Sequence, residues 1–158
     1  MRKFLYLALV LIFALAPLVN AYDPEYFNQV VGRKAVSLGD GCQLIMHLLE
    51  LEDKHPHFES QMEFLKANDV VKKSILDKPQ DVPLQRGELA YMLCKTLKLK
   101  GGFKARLLGM NERFAMEELT HWEIMREGHK LDLVTGQELV IIMTQAAQHI
   151  LSRMERGK

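Results

Sequence analysis

The chain has 158 residues, with 21 lysines and arginines, 20 aspartates and glutamates, and a formal net charge of +1. This length suits one ordinary domain. The balanced charge excludes nucleic-acid binding, which depends on clustered basic residues. Apart from residues 4–18, no stretch is long and apolar enough to span a bilayer, so a membrane-spanning mature protein is excluded as well.

The N-terminus has the three parts of a secretory signal peptide. Arg2 and Lys3 precede an apolar run at 4–18, and Val19-Asn20-Ala21 ends that run with small residues at the spacing of a cleavage site. We therefore expect a signal peptide at 1–21 and an exported single domain at 22–158, located in the periplasm or cell envelope. A retained anchor is the alternative, and Pro17 argues against it.

Three segments of the chain begin alike and predict three long helices. They start at 36–40, 84–88 and 134–138, which are 48 and 50 residues apart. Ser37 with Asp40, and Thr135 with Glu138, have the spacing of a capping box. The middle segment has Gln85 in place of the hydroxyl. Apolar residues then recur at helical spacing, which predicts helices near 37–51, 85–98 and 135–151.

Shorter helical patterns lie between these segments. They cover 58–65 and 114–119, each followed by an apolar pair, and 22–31 is a weaker match. Residues 105–108 could form a brief strand, and the lysines at 72, 73 and 78 suggest a solvated loop. The predicted fold class is all-α, with three tandem helix-loop-helix units, because units of this period bury their apolar faces against one another.

The middle segment resembles a known family. Residues 84–99, which read LQRGELAYMLCKTLKL, are similar to the signature helix of S-layer homology repeats, which opens with apolar–Thr–Arg–Ala–Glu. Residues 64–71 resemble the short helix and apolar pair that precede it, and the likeness extends over about 35–150. The resemblance implies three repeats with pseudo-threefold symmetry. It also implies a non-catalytic protein that associates with peptidoglycan or another cell-wall glycan.

The resemblance also implies candidate binding residues. The family's arginine, which contributes to glycan binding in the groove between repeats, is matched by Arg86, whereas Leu38 and Gly136 occupy the equivalent positions. The family's threonine is matched by Thr135 and, loosely, by Ser37. Gln85 lies beside Arg86 and could contribute to its groove. Arg86 could instead be a solvated residue in the first helical turn.

Trp122 is the only tryptophan of the chain, so it is the other candidate ligand contact. An exposed tryptophan can stack on a sugar ring, but packing against a neighbouring repeat is the commoner arrangement. Trp122 lies next to His121 on a short helix. Both roles remain open at this stage.

Cysteines and histidines do not predict a cofactor or a metal site. Cys42 and Cys94 are the only cysteines, and an exported protein can form disulfides. Aligned helices place them one turn apart, which favours two buried free thiols. The pair at His55 and His57, and His121, lack the spacing of zinc ligands, so solvated histidines are expected.

The sequence contains no nucleophile elbow and no phosphate-binding glycine loop, so we expect no enzyme activity. The favoured interpretation is an exported envelope protein that associates with peptidoglycan. The alternative is a periplasmic protein–protein adaptor that has kept the repeat scaffold but lost the glycan grooves. A third interpretation is a small hydrolase that uses carboxylates from different repeats.

Overall fold

The computed structural model describes residues 24–156, with side chains from residue 28 onward, and the predicted signal peptide at 1–21 lies outside the described residues. Over the described range the chain is mainly helical and forms no β-strand beyond two isolated bridges, which confirms the all-α class. The helices are α1 (Pro24–Val31), α2 (Leu38–Leu48), α3 (Phe58–Ala67), α4 (Lys73–Leu76), α5 (Arg86–Thr96), α6 (Phe103–Leu108), α7 (Glu112–His121) and α8 (Gly136–Arg156).

The three predicted long helices are confirmed as α2, α5 and α8. The third continues five residues past its predicted end at 151, to Arg156. The shorter helices α3, α7 and α1 are confirmed as well. No helix in the described range has the length and apolar character needed to cross a membrane.

Four helices end in the same way, with a residue in the left-handed conformation that is not glycine. These residues are Glu50, Asp69, Lys98 and Glu123, with φ of 55°, 56°, 53° and 56°. The next residue is apolar each time, and its N–H donates to a carbonyl five positions back, as in Leu99 to Cys94 at 2.9 Å. This is the hydrogen bond of a Schellman motif. It explains why the apolar pairs predicted after α3 and α7 mark the ends of those helices.

Three of the shorter helices each pack against a long one. α3 packs on α2, α7 packs on α5, and α1 packs on α8. The long helix α2 also contacts both α5 and α8. One continuous core results, and its largest fully buried side chains come from all three long helices and from the segments that precede them. No helix could bury its apolar face alone, so the packing rather than helix propensity supplies most of the stability.

The starts of the long helices are joined by a closed cycle of backbone hydrogen bonds. The N–H of Val36 donates to Val134, that of Val134 donates to Leu84, and that of Leu84 donates to Val36, over 2.9, 3.1 and 2.9 Å. All three side chains are fully buried. The residues two positions before the first residue of α2, α5 and α8 therefore meet at one point of the core.

The first amides of the long helices are satisfied by neighbouring loops. Arg86 N–H donates to Asp132 at 2.8 Å, and Gly87 N–H donates to Lys130 at 2.9 Å. Leu38 and Gly39 donate in the same manner to carbonyls of the 80–82 loop. Amides in the first helical turn have no partner within the helix, so these contacts replace water or a ligand there.

Two expectations about local structure were wrong. Residues 105–108 belong to α6 and form no strand. The lysines near 72–78 are not simply solvated, because Lys72 lies 2.9 Å from a Glu112 carboxylate oxygen and Lys78 lies 2.5 Å from one of Glu88. Both carboxylates belong to distant parts of the sequence, so lysine spacing alone could not reveal these pairs.

Candidate functional site

Every long helix has an acidic residue at its third position, and a cation compensates each one. The carboxylate of this residue sits above the first turn, where it also faces the positive end of the helix dipole. The two cations that pair with the first two carboxylates come from the loops before α2 and α5, whereas the third is supplied by α5 itself. The three pairs are Asp40 with Arg33, Glu88 with Lys78, and Glu138 with Arg86.

Ser37 and Gln85 occupy the position just before a long helix, and their contacts there are structural. The Ser37 hydroxyl accepts from the Asp40 N–H at 3.2 Å, and the Asp40 carboxylate accepts from the Ser37 N–H at 2.8 Å, which completes the predicted capping box. The Gln85 N–H donates to the Glu88 carboxylate at 3.2 Å. Helix capping accounts for both residues without a ligand.

Arg86 is buried, so the expectation of a solvated first-turn residue was wrong. Only 8% of the residue is exposed. Its Nη1 donates to the Glu138 carboxylate, and its Nη2 donates to the carbonyl of Arg126. The guanidinium thus connects the start of α5 with the start of α8 and with the loop before α8. Nε is buried and has no hydrogen-bond partner among the residues that the structure describes.

The loop around Gly128 is shaped to accept this guanidinium. A Cβ added at Gly128 would lie 2.8 Å from Arg86 Nε, so any larger residue would collide with the side chain. At Gly87, an added Cβ would approach Lys130 to 2.9 Å. Glycine at both positions allows the loop to pass close over the start of α5.

An open groove of about 650 Å³ runs beside Arg86, between the 123–127 loop and the first turns of α8. Thr135 lines it and, through its Oγ1, accepts from the Glu138 N–H at 3.2 Å. The groove therefore unites two of the predicted residues, Arg86 and Thr135. Its other polar and charged lining residues are Thr120, Glu123, Arg126, Glu127, Gln137, Glu138 and Gln145, and its apolar ones are Ile124, Met125, Ile141 and Ile142.

The remaining three predicted residues do not line the groove. Ser37 and Gln85 are absent from its walls. Trp122 borders a different cavity, together with Phe103 of α6. The Trp122 indole is 40% exposed, its Nε1 donates to Glu118 at 3.0 Å, and its ring centroid lies 4.9 Å from that of His149 on α8. It therefore packs against a neighbouring long helix while keeping one face in water.

The equivalents of Arg86 at the other two helix starts cannot form a similar contact. Leu38 is fully buried in the core. Gly136 has no room for a side chain, because an added Cβ would lie 1.7 Å from the carbonyl oxygen of Val30. Only the α5–α8 junction carries a guanidinium in this position.

Cys42 and Cys94 are free and buried, which confirms the predicted thiols. Burial raises the pKa of each thiol to about 12, and the nearby Glu118 carboxylate adds to the effect at Cys94. The predicted loop histidines lie apart from the groove: the His55 ring contacts Phe64 at 4.9 Å, and His57 precedes α3. Within residues 28–156, no cluster of three or more His, Cys, Asp or Glu side chains is arranged to hold a metal ion.

Several groove residues were missed from the sequence. Glu138 was identified as a helix cap, but its pairing with Arg86 depends on how α5 and α8 meet. Gln137 and Gln145 lie two turns apart on α8 and resemble ordinary exposed residues in the sequence. Their eight-residue separation places them about 80° apart around the helix axis, close enough to line one groove, and that spacing was the one available signal.

Comparisons with family models, with curated proteins and with solved structures gave no match. The function is therefore argued from the groove and from the arrangement of the helices.

Proposed function

We propose that the chain is an exported, non-catalytic protein of the cell envelope that associates with peptidoglycan or another cell-wall glycan. In this proposal the three long helices and their short partners form an S-layer-homology-like module with pseudo-threefold symmetry. The glycan occupies the groove beside Arg86. The single observation that carries the proposal is this groove, in which a buried guanidinium joins two helix starts next to open, polar walls.

Two features support the pseudo-threefold arrangement. The first is the hydrogen-bond cycle of Val36, Leu84 and Val134, in which each residue donates to one neighbour and accepts from the other. The second is the order of helix packing, because α3 and α7 each pack on the long helix of the preceding unit, and α1 packs on α8 to complete the circle. Such a cycle is expected of units that cannot bury their own faces.

The groove walls suit a sugar. Side-chain amides and hydroxyls, here Gln137, Gln145 and Thr135, both donate to and accept from sugar hydroxyl groups. Ile141, which is 46% exposed, offers an apolar surface for the C–H face of a pyranose ring. Arg86 has its outer nitrogens engaged by protein groups, so its role is to hold the 126–128 loop and Glu138 in place.

Retention on insoluble peptidoglycan tests the proposal. The chain from residue 22, which contains the whole described fold, is expected to sediment with purified peptidoglycan. The double variant Gln137→Ala and Gln145→Ala should lose most of this retention. Gln148→Ala is the matched control, since Gln148 is exposed on the same helix and lies outside the groove walls. Equal retention of the two variants, or no retention of the wild type, would refute glycan binding in this groove.

Arg86→Ala provides a second comparison. It should weaken retention by opening the loop, and circular dichroism must show that the variant is folded before its retention is interpreted. If the folded variant is retained as well as the wild type, Arg86 has no part in the site.

The adaptor interpretation is favoured by one observation. Two of the three helix starts have no arginine and no space for one, because Leu38 is buried and Gly136 is closed by Val30. A protein that lost glycan binding but kept the scaffold would show this pattern. In that case the wild-type chain would stay in the supernatant when insoluble peptidoglycan is sedimented. It would instead be recovered with a partner protein after cross-linking in cells.

The carboxylates in the groove motivate one further measurement. Glu123, Glu127 and Glu138 line it together, and a glycoside hydrolase needs two carboxylates on either side of the scissile bond. Glu138 is already paired with Arg86. The proposal therefore predicts that peptidoglycan incubated with the protein releases no soluble fragments above the buffer control, whereas release that Glu127→Gln abolishes would establish an enzyme.

A further inference from the structure

The segment at 98–108, between the end of α5 and the end of α6, leaves large apolar side chains in water. Phe103 is 80% exposed, and Leu107 and Leu108 are 71% and 72% exposed. Most other large apolar side chains of the described residues are buried. Exposed apolar side chains that adjoin one another mark interaction surfaces. We call residues 98–108 the basic-apolar segment.

One buried residue marks the inner side of the segment. Ala105 is buried, and within the segment Gly101 packs so closely against it that a Cβ on the glycine would lie 2.5 Å from the alanine Cβ. At about 100° per residue, Phe103 and Leu107 point to the side of α6 opposite Ala105. The apolar side of α6 therefore faces away from the core.

The apolar side is surrounded by positive charge. Between residues 98 and 108 the chain has four basic residues and no acidic one. All four are exposed, and about 100° per residue places Lys104 and Arg106 on opposite flanks of the Phe103–Leu107 face. The four basic residues are Lys98, Lys100, Lys104 and Arg106.

Neighbouring elements extend the same surface. Trp122 lines one cavity with Phe103, and its ring contacts His149. His149 lines the adjoining cavity with Lys98 and with Arg153 of α8. Burial and the positive charges of Arg153 and Arg156 lower the pKa of His149, which agrees with a positive local field.

The acidic groups beneath α6 are already engaged. Glu117 lies 3.1 Å from Arg113, and Glu118 accepts from Trp122 Nε1. Neither neutralises the four basic residues of the basic-apolar segment through any ion pair that the structure describes.

We propose that the basic-apolar segment docks on an anionic lipid surface. Phe103 and Leu107 enter the boundary between headgroups and acyl chains, while the flanking basic residues stay among the phosphates. The charge argues for this occupant, because clustered Lys and Arg beside exposed aromatic and aliphatic groups combine the two attractions that hold interfacial helices. A nucleic-acid backbone would use the charge but would leave the apolar face in water. This proposal is independent of glycan binding at the Arg86 groove.

Vesicle binding tests it, with Trp122 as the reporter. The chain from residue 22 is mixed with vesicles of equal parts phosphatidylglycerol and phosphatidylcholine, and separately with pure phosphatidylcholine. The protein should float with the anionic vesicles, and Trp122 emission should shift to shorter wavelength because the indole adjoins Phe103. Added salt should weaken binding, since charge supplies part of the affinity.

Two variants and two matched controls locate the surface. Lys100→Gln, Lys104→Gln and Arg106→Gln together should lower affinity by about tenfold or more. Lys34→Gln, Lys54→Gln and Lys66→Gln, which remove the same charge from exposed positions elsewhere, should have a much smaller effect. Phe103→Gln with Leu107→Gln should abolish the fluorescence shift, and Leu131→Gln with Leu133→Gln should leave it in place.

Three results would overturn the proposal. The first is equal binding to charged and neutral vesicles, or to neither. The second is an equal effect of the segment variant and its charge-matched control. The third is self-association without lipid that Phe103→Gln and Leu107→Gln prevent, because a second copy of the chain would then be the occupant.

Discussion

Backbone hydrogen bonds join the starts of the three long helices inside the core, whereas the segment that follows the end of α5 exposes apolar side chains to water. Val36, Leu84 and Val134 are fully buried and bonded in a cycle. Phe103 and Leu107 are 80% and 71% exposed. Apolar residues thus have two different roles in this chain. Those at the helix starts determine the fold, and those after α5 are available for contacts with other molecules.

Substitution of glycine should give the largest difference in the free energy of unfolding between these two regions. Gly136→Ala places a Cβ 1.7 Å from the Val30 carbonyl oxygen, a backbone atom that cannot move without shifting α1. We expect destabilisation of about 3 kcal/mol or more. Gly102→Ala is the control, because no atom of the described residues 24–156 lies within 4 Å of its added Cβ, and it should change the free energy of unfolding by less than about 0.5 kcal/mol. Urea denaturation measures both, and similar midpoints would contradict the close contact at Gly136.

A leucine truncation makes the same comparison with identical chemistry. Leu84→Ala removes a fully buried side chain from the hydrogen-bonded cycle and should cost about 3 kcal/mol. Leu108→Ala removes one that is mostly in water, so it should cost less than about 0.5 kcal/mol. Thermal unfolding separates the two outcomes. Equal losses would mean that α6 is buried in solution.

A buried ion pair should contribute more to stability than an exposed one. Arg86→Ala leaves the partly buried Glu138 carboxylate without its cation, and about 2 kcal/mol of stability should be lost. The Arg113–Glu117 pair is mostly exposed, so Arg113→Ala should cost less than about 0.5 kcal/mol. High salt should reduce the second effect far more than the first. A similar cost for both variants would argue against a buried guanidinium.

At neutral pH the ionisation of the core thiols should have no effect on stability, and its contribution should appear only at high pH. Burial raises the pKa of Cys42 and Cys94 from 9.0 to about 12, so between these values the unfolded chain releases protons that the folded protein keeps. Stability should therefore fall as the pH rises above 9.0. Replacing both cysteines with alanine should flatten this slope in urea titrations. Thiol titration of unfolded, unreduced protein should find two free thiols, and finding none would indicate a disulfide.

The sequence predicted the positions of the helices better than the contacts between them. Apolar periodicity located all three long helices, and capping spacing at Ser37 and Thr135 marked the starts of the outer two, because these signals are local. The pairing of Arg86 with Glu138 is not local, since 52 residues separate them. The exposed side of α6 was also missed. Its residues were interpreted as a brief strand, because six residues are too few to distinguish the periods of helix and strand.

The candidate site was predicted only in part, because some of its residues come together through contacts between distant segments. Arg86 and Thr135 were predicted from the resemblance to S-layer homology repeats, and both line the groove. Gln137 and Gln145 were not found, because exposed glutamines on a helix are common and only the neighbouring 123–127 loop makes these two a wall. Trp122 was singled out for its rarity, and it lies at the basic-apolar segment instead.

The central claim is that the Arg86 groove holds cell-wall glycan, and amide chemical-shift mapping with soluble peptidoglycan fragments tests it most directly. The account predicts concentration-dependent shifts at Thr135, Gln137 and Gln145, with residues 103–108 unchanged. Shifts confined to 103–108, or no shifts in the groove at saturating fragment concentration, would contradict it.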